Sequence, residues 1–127
     1  MFHFFLRPKD KLKHGKIGEQ KALDFLLENN YEILFSNWRF QRCEIDIVAK
    51  KNNELVFVEV KTRTSSLLSE ENLISISQQK RIINAADNFI KQNELDYNIR
   101  FDMIFVEISL NSFKLTHFKE FFKPTID

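Results

Sequence analysis

Cys43-Glu44-Ile45-Asp46-Ile47-Val48-Ala49-Lys50 and Glu54-Leu55-Val56-Phe57-Val58-Glu59-Val60-Lys61-Thr62-Arg63-Thr64 decide the fold, with Lys51-Asn52-Asn53 between them. Both runs are rich in Val, Ile and Phe, and read as strands joined by a short turn. Asn52-Asn53 suits a two-residue turn because Asn accepts positive φ. Lys51 then pairs with Glu54, and counting outward sets Asp46 opposite Glu59 and Glu44 opposite Lys61. One face carries Ile45, Ile47, Ala49, Val56, Val58 and Val60. The other carries Glu44, Asp46, Glu59 and Lys61 at one end, with Val48, Leu55 and Phe57 towards the turn. An odd-length loop would mix Val58 and Val60 in with Asp46, so the alternation selects an even one.

Outward from this hairpin the periodicity changes. Upstream, Ile17, Ala22, Phe25 and Leu26, flanked by Leu23 and Leu27, form a helical stripe from about Lys16 to Asn29. Asn29-Asn30 ends it, since Asn tolerates the left-handed conformation there, and Tyr31 to Phe40 reads as a strand. Downstream, Thr64 to Ser77 is loop-like. Ser77 then serves as N-cap for a helix to about Gln92, with Ile82, Ile83, Ala86, Phe89 and Ile90 on one face. Asn98 to Ile108 and Ser112 to Phe118 read as the last strands. The expectation is an α/β domain with a mixed central sheet flanked by helices, in the order α-β-β-β-α-β-β.

With 127 residues the chain holds one domain, and fourteen Phe residues supply bulky core groups. Residues 1–13 read as a basic and apolar leader, 14–122 as the domain and 123–127 as a tail. The single cysteine excludes an intramolecular disulfide and a multi-cysteine zinc site. His3, His14 and His117 lack metal-ligand spacing. The apolar run Phe2 to Leu6 is far short of the ~20 residues of a spanning helix, so a soluble, cytoplasmic protein with no membrane partner is expected. A net charge of +1 argues against a non-specific DNA coat protein. Six cations between Arg7 and Lys21, against Asp10 and Glu19, nevertheless form a basic run able to track phosphates.

Two carboxylates side by side repel by about 4 kcal/mol at ~4 Å in an effective dielectric of ~20. Lys61 and a bound Mg²⁺ or Mn²⁺ would relieve that, since hard cations prefer carboxylate oxygens and keep positions open for water and phosphate. Asp46 and Glu59 are thus candidate metal ligands. Lys61, two residues beyond Glu59 on the same face, is a candidate for offsetting charge on a phosphoryl transition state. Spacing alone leaves a second reading open, in which these residues are the solvated end of a hairpin with ordinary cross-strand ion pairs.

Gly15-x-x-Gly18-Glu19-x-x-Ala22, Asn37-Trp38-Arg39, Glu44-Ile45-Asp46, Val56-Phe57-Val58-Glu59-Val60-Lys61-Thr62-Arg63, Lys80 and Arg100-Phe101-Asp102 occur in one order. In that combination the chain resembles the YraN-like family of small bacterial proteins, from about Gly15 to Val106. That family is similar to the PD-(D/E)xK nucleases, which have the restriction-endonuclease-like fold, and among them to the archaeal Holliday-junction resolvases. The resemblance implies Asp46 and Glu59 as metal ligands, Lys61 as the catalytic lysine and Glu19 as a further acidic member of the site. Cys43 stands where the family usually has Gly. The loop from Thr64 to Ser77 lacks the family's usual Gly and Pro.

The leading expectation is therefore a Mg²⁺- or Mn²⁺-dependent endonuclease acting on structured or damaged DNA, with DNA favoured over RNA. Arg39, Arg42, Arg63 and Lys80 are candidate phosphate contacts, Arg81 another, and Glu44 an accessory acid. Each basic residue taken alone reads equally well as a surface charge. Trp38 reads as a core or sheet-edge anchor, and Asp102 as a buried ion-pair partner. Phe118, Phe121 and Phe122 read as core-packing residues. Cutting both strands of a duplex or junction would suit a homodimer. The alternative is a non-catalytic nucleic-acid-binding adaptor of the same fold, in DNA processing or uptake. Such an adaptor has no chemical reason to gather acids around one lysine.

Overall fold

The computed structural model describes residues 8–64 and 74–124. Their order is α1 (Pro8–Glu28), β1 (Glu32–Phe40), β2 (Cys43–Lys51), β3 (Glu54–Arg63), α2 (Ile76–Asn93), β4 (Asn98–Ile108) and β5 (Phe113–Phe122). The strands form one mixed sheet in sequence order, antiparallel throughout except for the parallel β3–β4 pair. That pair needs a crossover, which α2 supplies. The α/β class and the element order agree with the sequence pattern.

The two faces of the sheet make two cores. Ala22 and Leu26 of α1 pack on Ile47, Ala49, Val56, Val58, Ile104 and Val106. Ile82, Ala85, Ala86 and Phe89 of α2 pack on Val48, Leu55, Phe57, Phe101, Met103 and Phe105. Trp38, on the edge strand β1, meets Phe89 edge-to-face at 5.3 Å. Phe118, Phe121 and Phe122 lie against the α2-side core. Helix α1 comes so near β3 that a Cβ at Gly18 would overlap Thr62 Oγ1. A glycine there is a packing requirement, and it places the neighbouring Glu19 close to the sheet.

Several boundaries differ from the sequence expectations. Helix α1 begins at Pro8 rather than near Lys16. Proline suits the first turn of a helix, and the segment that follows has no apolar stripe to betray it, so it read as leader. Residues 1–7 lie outside the described residues. At the other end the helix closes as expected: Asn30 has φ 67°, the Tyr31 N–H donates to Leu26 O, and the Asn30 N–H to Leu27 O. Strand β5 runs on to Phe122, four residues past the expected end. The N-cap of α2 is Ser75, not Ser77. Ser75-x-x-Gln78 has the capping-box spacing whereas Ser77 is followed three residues later by Lys80. The Ser75 hydroxyl accepts from the Gln78 N–H. Most of the loop before it, residues 65–73, lies outside the described residues.

The hairpin register needs a further correction. The turn is Asn52-Asn53, with Asn52 at φ 56°, and the ladder runs from Lys51↔Glu54 to Ile47↔Val58. It stops there, so Asp46 and Glu59 are not ladder partners, nor are Glu44 and Lys61. Ile45 joins the α2-side core while Ile47 joins the other. Strand β2 therefore changes face around Asp46, which the simple alternation did not anticipate.

A buried ionic network sits beneath the C-terminal part of α1. Asp102, fully buried, accepts two bonds from Arg100, one from the Glu120 N–H and one bond shared with His117 Nε2 at 2.7 Å. Arg100 also reaches Glu54 and the Tyr31 hydroxyl. Burial alone would raise the Asp102 pKa, but His117, Arg100 and the Glu120 N–H together hold it below the ordinary carboxylate value. This is the buried ion pair expected of Asp102. A depressed pKa gives stability that is present above the unfolded value of about 3.9 and lost as pH falls through the folded value. Asp102→Asn should lower unfolding free energy by about 3–5 kcal/mol at neutral pH, as for other broken buried pairs. The gap should narrow below about pH 4; urea midpoints against pH measure it.

Candidate metal centre

Strand β3 delivers two functional side chains to the α2 face, because Glu59 and Lys61 alternate with Val58 and Val60, which pack toward α1. Glu59 is only 9% exposed. Lys61 Nζ stands 3.3 Å from Glu59 Oε2. Both residues lie beside β4, Glu59 in register with Met103 and Lys61 with Phe105, toward the C-terminal end of the parallel pair.

Asp46 arrives from β2 by a different device. Where the β2–β3 ladder ends, its Oδ2 accepts the Val60 N–H at 2.8 Å. The side chain thereby substitutes for a main-chain acceptor and satisfies a donor that the departing strand leaves behind. The same position sets its carboxylate on the wall of one cleft with Glu59. Burial first, then the Glu59 charge and the hydrogen bond between the two carboxyls, push Asp46 up to about 8; the Val60 N–H pulls the other way. Burial is the larger cause, and the neighbour that adds to it is a second acid rather than a cation.

Helix α2 contributes a residue that the sequence pattern did not single out. Gln78 Nε2 donates to Glu59 Oε2, and Gln78 Oε1 accepts from Lys61 Nζ at 3.2 Å. The Ser75-x-x-Gln78 spacing would have placed Gln78 in the first turn of the helix, but a capping box sends the glutamine back to its own N-cap. Here the side chain turns to β3 instead.

The other candidate residues divide into near and far. Arg42, Cys43 and Glu44 from the β1–β2 end, and Arg81 from α2, line a cleft of about 290 Å³ together with Asp46, Glu59 and Gln78. Glu44 is ion-paired to Arg39 at 3.0 Å on the surface rather than set against Lys61. Arg63 is exposed and donates to the Thr62 carbonyl. Lys80 points to a separate groove with Ile83, Ile90 and Phe101, so it is not brought to the cluster. Glu19 lies in an adjoining cleft with Lys16 and Asn37 and accepts from Asn37 Nδ2 at 2.7 Å. Its carboxyl is raised, by burial first and then by the Asp46 charge, so it is near enough to feel the pair without joining it.

Among the described residues no group of three or more Asp, Glu, His or Cys side chains is gathered as a ready-made cage. Mg²⁺ does not require one, since it keeps several waters and takes one or two carboxylates. Asp46 and Glu59 supply hard oxygen donors, and the Glu59 charge adds to burial in raising the Asp46 carboxyl. The donor set fits a small divalent cation.

Fold and cluster together define a small α/β protein with an acid–acid–lysine site at the end of a parallel strand pair. The family model described as uncharacterised protein family UPF0102 matches residues 18–106, and the chain belongs to that family. A UPF0102 protein of Bacteroides thetaiotaomicron is 42% identical over 113 residues, covering 88% of this chain and 93% of that protein. One from Flavobacterium psychrophilum is 41% identical over 109 residues, covering 85% and 92%.

The strained pair has a measurable signature. An acid with a raised folded pKa favours folding at low pH, and that contribution is lost as pH rises from the ordinary carboxylate range through the folded value, here about 8. Metal-free wild-type protein should therefore lose stability between pH 5 and 9. Asp46→Asn, which keeps an acceptor for Val60, should lose less and be the more stable form at pH 9. Urea unfolding in chelator at both pH values measures this; parallel pH curves would show that the Asp46 carboxyl is not raised.

Proposed function

We propose that this chain is a Mg²⁺- or Mn²⁺-dependent endonuclease acting on structured or damaged DNA. The observation that carries this reading is the convergence of Asp46 and Glu59 on one cleft, with Lys61 Nζ 3.3 Å from Glu59 Oε2. Asp46 and Glu59 would hold the cation, with Glu19 of α1 as a further acid within reach of the Asp46 charge. When bound, the cation supplies Lewis-acid polarisation of the phosphoryl oxygens and acidifies a water. Lys61 orients that water and offsets the charge gathering on the phosphoryl group. Arg42 and Arg81, on the walls of the same cleft, would hold the flanking phosphates, with Arg39 and Arg63 further out. Among the described residues no helix is long and apolar enough to cross a membrane. A two-fold homodimer would place two such sites on the two strands of a junction.

Calorimetry should detect Mn²⁺ binding that is lost in Asp46→Ala and strongly weakened in Glu59→Ala; equal binding by all three proteins would remove the metal site. Cleavage should be measured on linear, flapped and four-way-junction DNA with Mg²⁺ or Mn²⁺. A lysine that only grips phosphate contributes to affinity, whereas one that stabilises the transition state contributes to the chemical step. Lys61→Ala should lower single-turnover cleavage by about 100- to 1000-fold, judged from loss of one oxyanion-hole donor, with little change in DNA binding. Tight binding by the wild type with no cleavage of any substrate would favour the adaptor.

A further inference from the structure

We infer that Gln78 is the positioning residue of this site, fixing Glu59 and Lys61 relative to each other from the first turn of α2; this rests on the metal-site reading of the Asp46–Glu59 pair. A primary amide is uncharged and carries its donor and its acceptor on separate atoms, so it can donate to a carboxylate and accept from an ammonium at the same time. Gln78 does both, giving an N–H to Glu59 Oε2 and taking one from Lys61 Nζ at 3.2 Å. A glutamate at this position could accept from Lys61 but would face Glu59 with a like charge. A lysine or arginine could donate to Glu59 but would repel Lys61.

The geometry of the two bonds has a consequence for Glu59. Gln78 and Lys61 both engage Oε2, so neither contact occupies Oε1. Rotation of the carboxylate would break both contacts together. The anchor is itself held: the Gln78 N–H donates to the Ser75 hydroxyl at 3.1 Å, and Ile82, one turn on, is buried in the core. The glutamine is thus fixed at its backbone, and its amide transmits that order to two side chains on β3. Partners of this kind behind a metal ligand set its orientation, and their loss typically costs 10–100-fold in affinity.

The test uses the full-length protein and the variants Gln78→Met and Gln78→Ala, both good helix formers. Circular dichroism and thermal melting establish that each variant is folded. In metal-free protein labelled with ¹⁵N-lysine, the Lys61 Nζ resonance, assigned by its loss in Lys61→Arg, should be slowly exchanging and should merge with the mobile lysines in either variant. An unchanged Lys61 resonance would overturn the proposal, whether or not metal binds. Mn²⁺ titration should then show affinity lowered by about 10- to 100-fold in both variants. Affinity within twofold of a wild type that does bind Mn²⁺ would also overturn it. A wild type that binds no Mn²⁺ refutes the metal site itself, and the Lys61 resonance still decides whether Gln78 orders the pair.

Discussion

The Asp46 carboxylate accepting the Val60 N–H at 2.8 Å is the contact on which the architecture of the site depends. A strand leaving its neighbour normally strands donors and acceptors that cost free energy when buried. By meeting Val60 with a side chain, Asp46 lets β2 part from β3 after Ile47 without leaving that donor unmet. The parting allows Ile45 to serve the α2-side core while Ile47 serves the α1 side. It also opens the space into which Glu59 and Gln78 project. The same residue is therefore at once a backbone cap, a pivot between two cores and half of a carboxylate pair. The penalty is electrostatic, expressed in the raised Asp46 carboxyl.

Two buried acids in this small protein show how differently such a penalty can be met. Asp102 is enclosed by a guanidinium, an imidazole and a backbone N–H, and its carboxyl is depressed despite complete burial. Nothing further is asked of its surroundings, and the group serves as a structural tie between β4, β5 and the end of α1. Asp46 receives one N–H and faces a second carboxylate, while the adjacent cation and amide lean on Glu59 instead. Perturbed groups of the second kind cluster where a protein handles ligands, because the missing charge is supplied from outside. The contrast lies in the compensation available, not in the depth of burial.

The fold was largely readable because its long elements carry strong patterns. The turn at Asn52-Asn53, the helix end at Asn30 and the buried strand β4 follow from residue chemistry alone. Regular alternation failed only where a side chain intrudes on the ladder: no count of residues reveals that Asp46 will take the Val60 N–H, so the facing pairs drawn beyond Ile47 were wrong. The Pro8 start of α1 was hidden for the opposite reason, since its first turns lack an apolar stripe. For the site, Asp46, Glu59 and Lys61 could be proposed from their spacing and company. Gln78 could not, because its role depends on the Ser75 cap and on the angle at which α2 meets β3. Lys80 and Arg81 part for the same reason: one residue on a helix is a turn of about 100°, enough to send Lys80 to another groove.

That dependence on angle explains why the site needs so many elements for so few atoms. In open α/β sheets, ligands gather beyond the carboxyl ends of parallel strands, where crossovers begin. Among the described strands the β3–β4 pair is the only parallel one, and its crossover helix is capped by Ser75 and carries Gln78 in its first turn. Helix α1 approaches from the other face closely enough that Gly18 must lack a Cβ, which leaves Glu19 on Asn37 beside the pair. A rigid sheet sets Glu59 and Lys61, a broken ladder sets Asp46, and two helix contacts set Gln78 and Glu19. Each placement rests on packing or capping that would stand without a ligand, so the donors proposed for a cation are ordered without one. Such preorganisation is what makes a weakly coordinated, water-rich ion useful, because the protein does not have to reorder its donors on binding.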